Sequence, residues 1–171
     1  DSVNVSVERQ LPQLRERTVP NGSTLGSLTL DHDLATPAYH TAVDIHCQPG
    51  GYHTELGPDD VAAGATYDRG VYIYAMSRLG PLNDEMGQSV VLHLKDRHAD
   101  FRPRRILDMG CTVGHSTLPY VDAYPDAEIF AIDVGAPVLR YAHARAESLG
   151  KRVRFSQQNA EHTNFEDSSF V

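Results

Sequence analysis

Asp108, Gly110, Gly114 and Asp133 are the residues of this chain whose types and spacing could do chemistry together. Ile106 and Leu107 read as a buried strand that Asp108 closes, the two glycines bracket a turn, and a helix follows. Glycines in such a turn let backbone approach a ligand that side chains would hold off. Asp133 closes a second apolar run, Ile129–Ile132, and lies 133 − 108 = 25 residues after Asp108. A doubly wound fold places a carboxylate about 20 residues on against a ribose, and carboxylate oxygens accept from both ribose hydroxyls. The pattern predicts a nucleoside ligand at the carboxyl ends of two parallel strands. A helix cap ahead of Pro137 is the plainer role open to Asp133.

A dinucleotide is the rival ligand. Its fingerprint, Gly-x-Gly-x-x-Gly, admits a pyrophosphate to a helix N-terminus. Here Thr112 lies between Gly110 and Gly114, and Asp108 would repel a pyrophosphate while attracting an amino group or a sulfonium. A nicotinamide-dependent oxidoreductase with a degenerate phosphate loop and a non-catalytic cofactor-binding fragment remain as alternative functions.

The run Arg104–Thr117 resembles the first motif of the class I S-adenosylmethionine-dependent methyltransferases, Thr112 standing where that family usually has its middle glycine. Tyr120–Asp133 resembles the family's first helix, Pro-Asp turn and second strand, and Val153–Phe170 its third strand and adenine-contacting segment. The likeness covers about the last seventy residues. It implies an α/β, Rossmann-like methyltransferase fold, truncated here to its first three strands in the order 3-2-1. It also implies S-adenosylmethionine as cofactor and a small-molecule methyl acceptor. Asp108, Gly110, Cys111, Thr112 and Gly114 would hold the methionine portion, Asp133 the ribose, and Asn159 and Ala160 the adenine, with Val134 also at the cofactor. Asn159 replaces the family's usual acidic residue, and its carbonyl oxygen can still accept from an adenine amino group. Tyr67 is implied by the aromatic segment that the ubiquinone and menaquinone biosynthesis type lays over the cofactor. A turn-rich polar loop for the 158–170 stretch, and an ordinary amphipathic helix for the tyrosines, are the structural alternatives.

Elements must position these residues. The stretch 136–149 reads as a helix, with Pro137 in its first turn, Val138, Leu139, Ala142, Ala146 and Leu149 on one stripe, and Gly150 after its end. Asp59 and Asp60 would cap a helix that runs on toward Gly80-Pro81, and a further helix over 83–100 presents Met86, Val90, Val91 and Leu94. Residues 1–57 are expected to be an N-terminal extension or cap, mostly helical, with Pro12 interrupting 8–17 and a possible strand at Leu25–Leu30. Residues 58–171 are then the first half of the cofactor domain, incomplete at its C-terminus, so the first strand is expected to lack a neighbour and the isolated chain to pack poorly and turn over little. His46, Cys47, His53 and Glu55 are metal-ligand types, but their spacing matches no usual zinc signature and no metal is expected. Catalytic residues are not identified; a general base would be His46, His53 or a residue beyond Val171.

Composition sets the class. The formal charge of −8 over 171 residues argues against nucleic acid or an anionic membrane as partner. It is uneven: residues 1–94 hold five basic and twelve acidic side chains, and 95–171 hold ten and eleven. No run of 18 apolar residues occurs, and two cysteines are too few for a disulfide framework, so a soluble, cytoplasmic protein is expected.

Overall fold

The computed structural model describes residues 2–18, 24–43, 48 and 50–170. Ten elements follow in chain order: α1 (Ser2–Thr18), β1 (Ser27–Thr29), α2 (Ala38–Ala42), α3 (Ala62–Tyr74), α4 (Glu85–Arg97), β2 (Arg105–Met109), α5 (Leu118–Ala123), β3 (Glu128–Asp133), α6 (Ala136–Ser148) and β4 (Arg154–Gln157). The four strands form one parallel sheet in the order β1-β4-β3-β2. The three strands expected from the sequence thus lie in the order 3-2-1, but the sheet has four strands, because Ser27–Thr29 adds to the outer edge of β4. That addition rests on two contacts. The Glu147 carboxylate at the end of α6 accepts from the amides of Leu25 and Gly26 at 2.9 and 2.8 Å, and Gly26 passes so close to the carbonyl oxygen of Val153 that a Cβ there would lie 2.1 Å from it.

The core lies between the sheet and α6. Ile129, Ala131 and Phe155 point from the strands onto Leu139, Ala142 and Ala146 of the helix, all of them buried. Gly150, at φ +68°, ends α6: its amide reaches the carbonyl of Glu147 and that of Lys151 reaches Ala146, a Schellman closure. On the other face Phe130 meets Phe165 and Phe170 edge to face, and the Arg105 guanidinium lies 4.7 Å from the ring centres of both Phe130 and Phe170. Two β2–β3 bonds, from the Glu128 amide to the Arg104 carbonyl and from the Gly110 amide to the Ile132 carbonyl, show that the even-numbered residues of β2 face β3. Arg105, Leu107 and Met109 turn their backbone groups the other way, where no strand lies among the described residues.

Three helix expectations need correction. α1 runs through Pro12 without a break, since its packing against α3 and α6 outweighs the lost backbone bond. α3 stops at Tyr74 rather than running to Gly80, because Met76 and Ser77 turn into the left-handed region. In α4 only half of the expected stripe is inside: Val91 is buried and Leu94 partly so, while Met86 and Val90 are exposed and Gly87 is buried in their place. Gly87 rests on Ser116 and Pro119, so the helix is rotated about one residue from the face its apolar side chains suggest.

Candidate functional site

The 108–114 turn leaves β2 at the carboxyl edge of the sheet and passes over the end of β3. Gly110 and Gly114 adopt φ +75° and +78°, and Thr112 is also left-handed at +48°. The amides of Gly110 and Cys111 both donate to the Ile132 carbonyl (2.8 and 3.0 Å), that of Gly114 to the Cys111 carbonyl (2.8 Å), and that of Thr112 to Asp133 Oδ2 (3.0 Å). These four amides are therefore committed within the chain. The turn presents acceptors instead: its carbonyls and the half-buried carboxylate of Asp108, which takes one hydrogen bond, from Thr117 Oγ1 at 2.6 Å. Burial holds the Asp108 carboxyl above the usual aspartate range, against the opposing effect of the Thr117 hydroxyl. Above Gly110 the space is open, with nothing within 4 Å of where a Cβ would stand.

Asp133 sits at the end of β3 and binds both flanking loops. Oδ2 takes the Thr112 amide, and Oδ1 takes the Gly135 amide at 2.9 Å. Burial raises its carboxyl above the ordinary value, offset by those amides and by the nearby His40. The carboxylate thus both caps the approach to α6 and fixes the turn, with lone pairs left over for a ligand. Val134 is buried, and its carbonyl accepts from Gln157 Nε2 at 2.9 Å. The Cys111 side chain packs into the core beside Leu118 and Phe155, and burial together with Asp133 and Asp108 pushes its thiol well up.

Asn159 follows β4 on the same edge. Its Oδ1 accepts from the Glu161 amide at 2.9 Å and from the Tyr39 hydroxyl at 3.3 Å. Ala160 beside it is exposed. The short α2 therefore reaches the candidate adenine end, with His40 stacked at a tilt on Tyr39 and edge-on to His53. His46 and Cys47 lie outside the described residues; Glu55 is paired with Arg140 of α6.

Tyr67 lies over the turn, in a cluster with Val113 and Val138; its ring stacks on His115 at 5.8 Å and takes the edge of Tyr52 at 5.2 Å. Beneath it is a network that sequence reasoning missed. Asp68 Oδ1 meets His115 Nε2 at 2.6 Å, Asp68 Oδ2 accepts from the Tyr141 hydroxyl at 2.7 Å, and Asn83 Nδ2 donates to the Asp68 carbonyl at 3.0 Å. Burial pulls the Asp68 carboxyl up, but the hydrogen bonds and charges of His115, Tyr141 and Arg145 outweigh it and hold it below the ordinary value. The signal in the sequence was a polar pair at neighbouring sites, Asp68 after Tyr67 and His115 after Gly114, the two partners standing 47 positions apart.

Residues 106–171 match the family model described as a methyltransferase domain. The demethylmenaquinone methyltransferase of Thermus thermophilus is 35% identical over 68 residues, which is 40% of this chain and 31% of that protein. Among solved structures, the YcgJ protein of Bacillus subtilis is 31% identical, covering 48% of this chain and 35% of its own, with a TM-score of 0.42. An S-adenosylmethionine-dependent methyltransferase of Clostridium acetobutylicum is 17% identical, covering 58% and 39%, with a TM-score of 0.47. The chain spans about a third of the length of the curated relative it matches. With a parallel sheet, an acidic strand end and a glycine turn closed on a second acidic strand end, residues 106–171 are thus similar to a methyltransferase domain.

Proposed function

We propose that this chain belongs to an enzyme that transfers the methyl group of S-adenosylmethionine to a small-molecule nucleophile. The observation that carries the reading is the commitment of the turn's amides to Ile132, Cys111 and Asp133. A phosphate-binding turn needs those donors for its ligand. This one offers carbonyls and the Asp108 carboxylate, which suit an ammonium and a sulfonium. The open space over Gly110 admits the methionine portion. The cofactor, when bound, supplies an electrophilic methyl group on its sulfonium.

The chain's own residues then bind and orient. Asp108 would hold the ammonium end, Asp133 would offer its remaining lone pairs to the ribose hydroxyls while keeping Thr112 in place, and Asn159 and Ala160 would meet the adenine after Tyr39 gives up its bond to Asn159. Tyr67 would close the turn against water from the α3 side. Residues 1–57 would act as a cap, with α2 lying at the adenine end. The name of the Thermus relative supports a quinone-type acceptor as the first to assay.

Calorimetry decides between ligands. S-adenosylhomocysteine and S-adenosylmethionine should release heat on titration into the chain, and NAD should not. Binding of NAD with no response to either adenosyl compound would overturn the assignment.

A further inference from the structure

At the amino ends of β2 and β3, across the sheet from the glycine turn, the loops 98–104 and 123–127 and the last turns of α4 and α5 enclose a cavity of about 480 Å³. That is the size of a site for a small organic molecule. Its floor is apolar: Phe101 and Tyr124 meet edge to face at 5.8 Å, beside the buried Pro103. Its rim is cationic. Lys95, Arg102 and Arg104 line it against the single carboxylate of Asp126, in a chain whose net charge is −8. Arg102 is anchored, with Nη1 donating to the carbonyls of Ala99 (2.6 Å) and Phe101 (3.0 Å), which leaves its Nε and Nη2 donors uncommitted among the described residues. At the carbonyl end of α4, which would otherwise repel an anion, Lys95 and Arg97 in the last turn and the His98 amide on the Leu94 carbonyl offset the helix dipole. None of the three rim cations, Lys95, Arg102 and Arg104, enters an ion pair among the described residues.

We propose that this cavity is a second ligand site, separate from the methyl-transfer site, which takes an amphipathic organic anion: an aromatic or branched apolar body seated on Phe101 and Tyr124, with a carboxylate, sulfonate or phosphate held by Arg102, Arg104 and Lys95. Apolar burial supplies affinity, and the rim selects for charge.

Anilinonaphthalene sulfonate and its uncharged parent anilinonaphthalene, the same body with and without the anion, serve as probes for the 171-residue chain. The sulfonate should bind at least fivefold more tightly than the parent, weaken as salt is raised, shift the ring resonances of Phe101 and Tyr124, and stay bound when S-adenosylhomocysteine is added. Lys95→Glu with Arg104→Glu, both on exposed side chains, should weaken it tenfold or more and leave the parent unchanged. Equal affinity for the two probes, indifference to charge reversal, shifts elsewhere in the protein, or displacement by S-adenosylhomocysteine would each overturn the proposal. The salt and resonance readouts on the unmodified chain hold even if a variant folds poorly.

Discussion

Thr112 holds φ +48° at the centre of the turn, a region that costs a non-glycine residue about 1–2 kcal/mol. The Asp133 carboxylate on its amide keeps it there. Thr112→Gly removes the strain but adds backbone entropy to the unfolded chain, worth about 0.5–1 kcal/mol against it. The net expectation is a variant more stable by about 0.5–1 kcal/mol in urea titration, with S-adenosylhomocysteine bound at least as well; a clear loss of stability would mean that the threonine side chain itself holds the turn. Asp108 gives an opposite pair of effects. Its carboxyl is held above the ordinary value by burial, so the native state binds more protons than the unfolded chain, and the contribution is full below the unfolded value and lost as pH rises through the folded one. Asp108→Asn, which keeps an acceptor for Thr117, should therefore be more stable than the parent at pH 7, with the difference shrinking as the medium is acidified into the aspartate range. It should also bind S-adenosylhomocysteine more weakly. Equal stability at both pH values would show that the carboxylate carries no desolvation cost.

Helices and strands were legible where the buried contact is made by apolar side chains, and not where it is made by backbone. The stripe Val138, Leu139, Ala142 and Ala146 marked the buried face of α6 because those side chains fill the core. In α4 the contact is Gly87 on Ser116 and Pro119, and a glycine leaves no mark on a hydrophobic pattern. Likewise α3 approaches α6 through Gly64, where a Cβ would stand 2.4 Å from that of Tyr141. The strand at Leu25–Leu30 was visible as an apolar run, but its partner was not, since Ser27 pairs with Arg154 across most of the chain. Gly26 makes that pairing testable. Gly26→Ala drives a methyl group into the Val153 carbonyl, and overpacking of this kind costs about 1–3 kcal/mol. The expected result is faster amide exchange at Leu28 and in β4, with β2 and β3 unaffected; exchange rising equally in all four strands would mean that β1 is integral to the whole sheet.

Across the whole molecule the sheet has one protected and one open side. β4 is covered by β1, while β2 pairs only with β3 among the described strands. The alternation set by the Arg104 and Gly110 bonds predicts that the amides of Ile106 and Asp108 are protected and that of Leu107 is not. In a monomeric sample Leu107 should exchange about 100-fold faster than its two neighbours, as an amide open to local solvent does. Comparable protection at all three would reveal a partner on that edge. The candidate site was legible at this scale because it is local: Asp108, the glycines and Asp133 lie on consecutive strand ends. The Asp68 network was not, since α3, the loop after Gly114 and α6 must already be docked before His115 and Tyr141 can find one carboxylate.

That carboxylate also gives the chain a colour change of its own. There is no tryptophan, so ultraviolet absorption rests on eight tyrosines. Burial and the neighbouring Asp68 push the Tyr141 phenol far up. An alkaline titration should therefore show a late phenolate step that coincides with loss of structure: a phenol whose folded value is raised stabilises the native state below its unfolded value, and that support disappears as pH climbs. Tyr120 is also held up, by burial and by Asp108, so Tyr141→Phe should remove the most delayed part of that step, which makes the Tyr141 phenol an optical gauge of whether α3 and α6 are still joined.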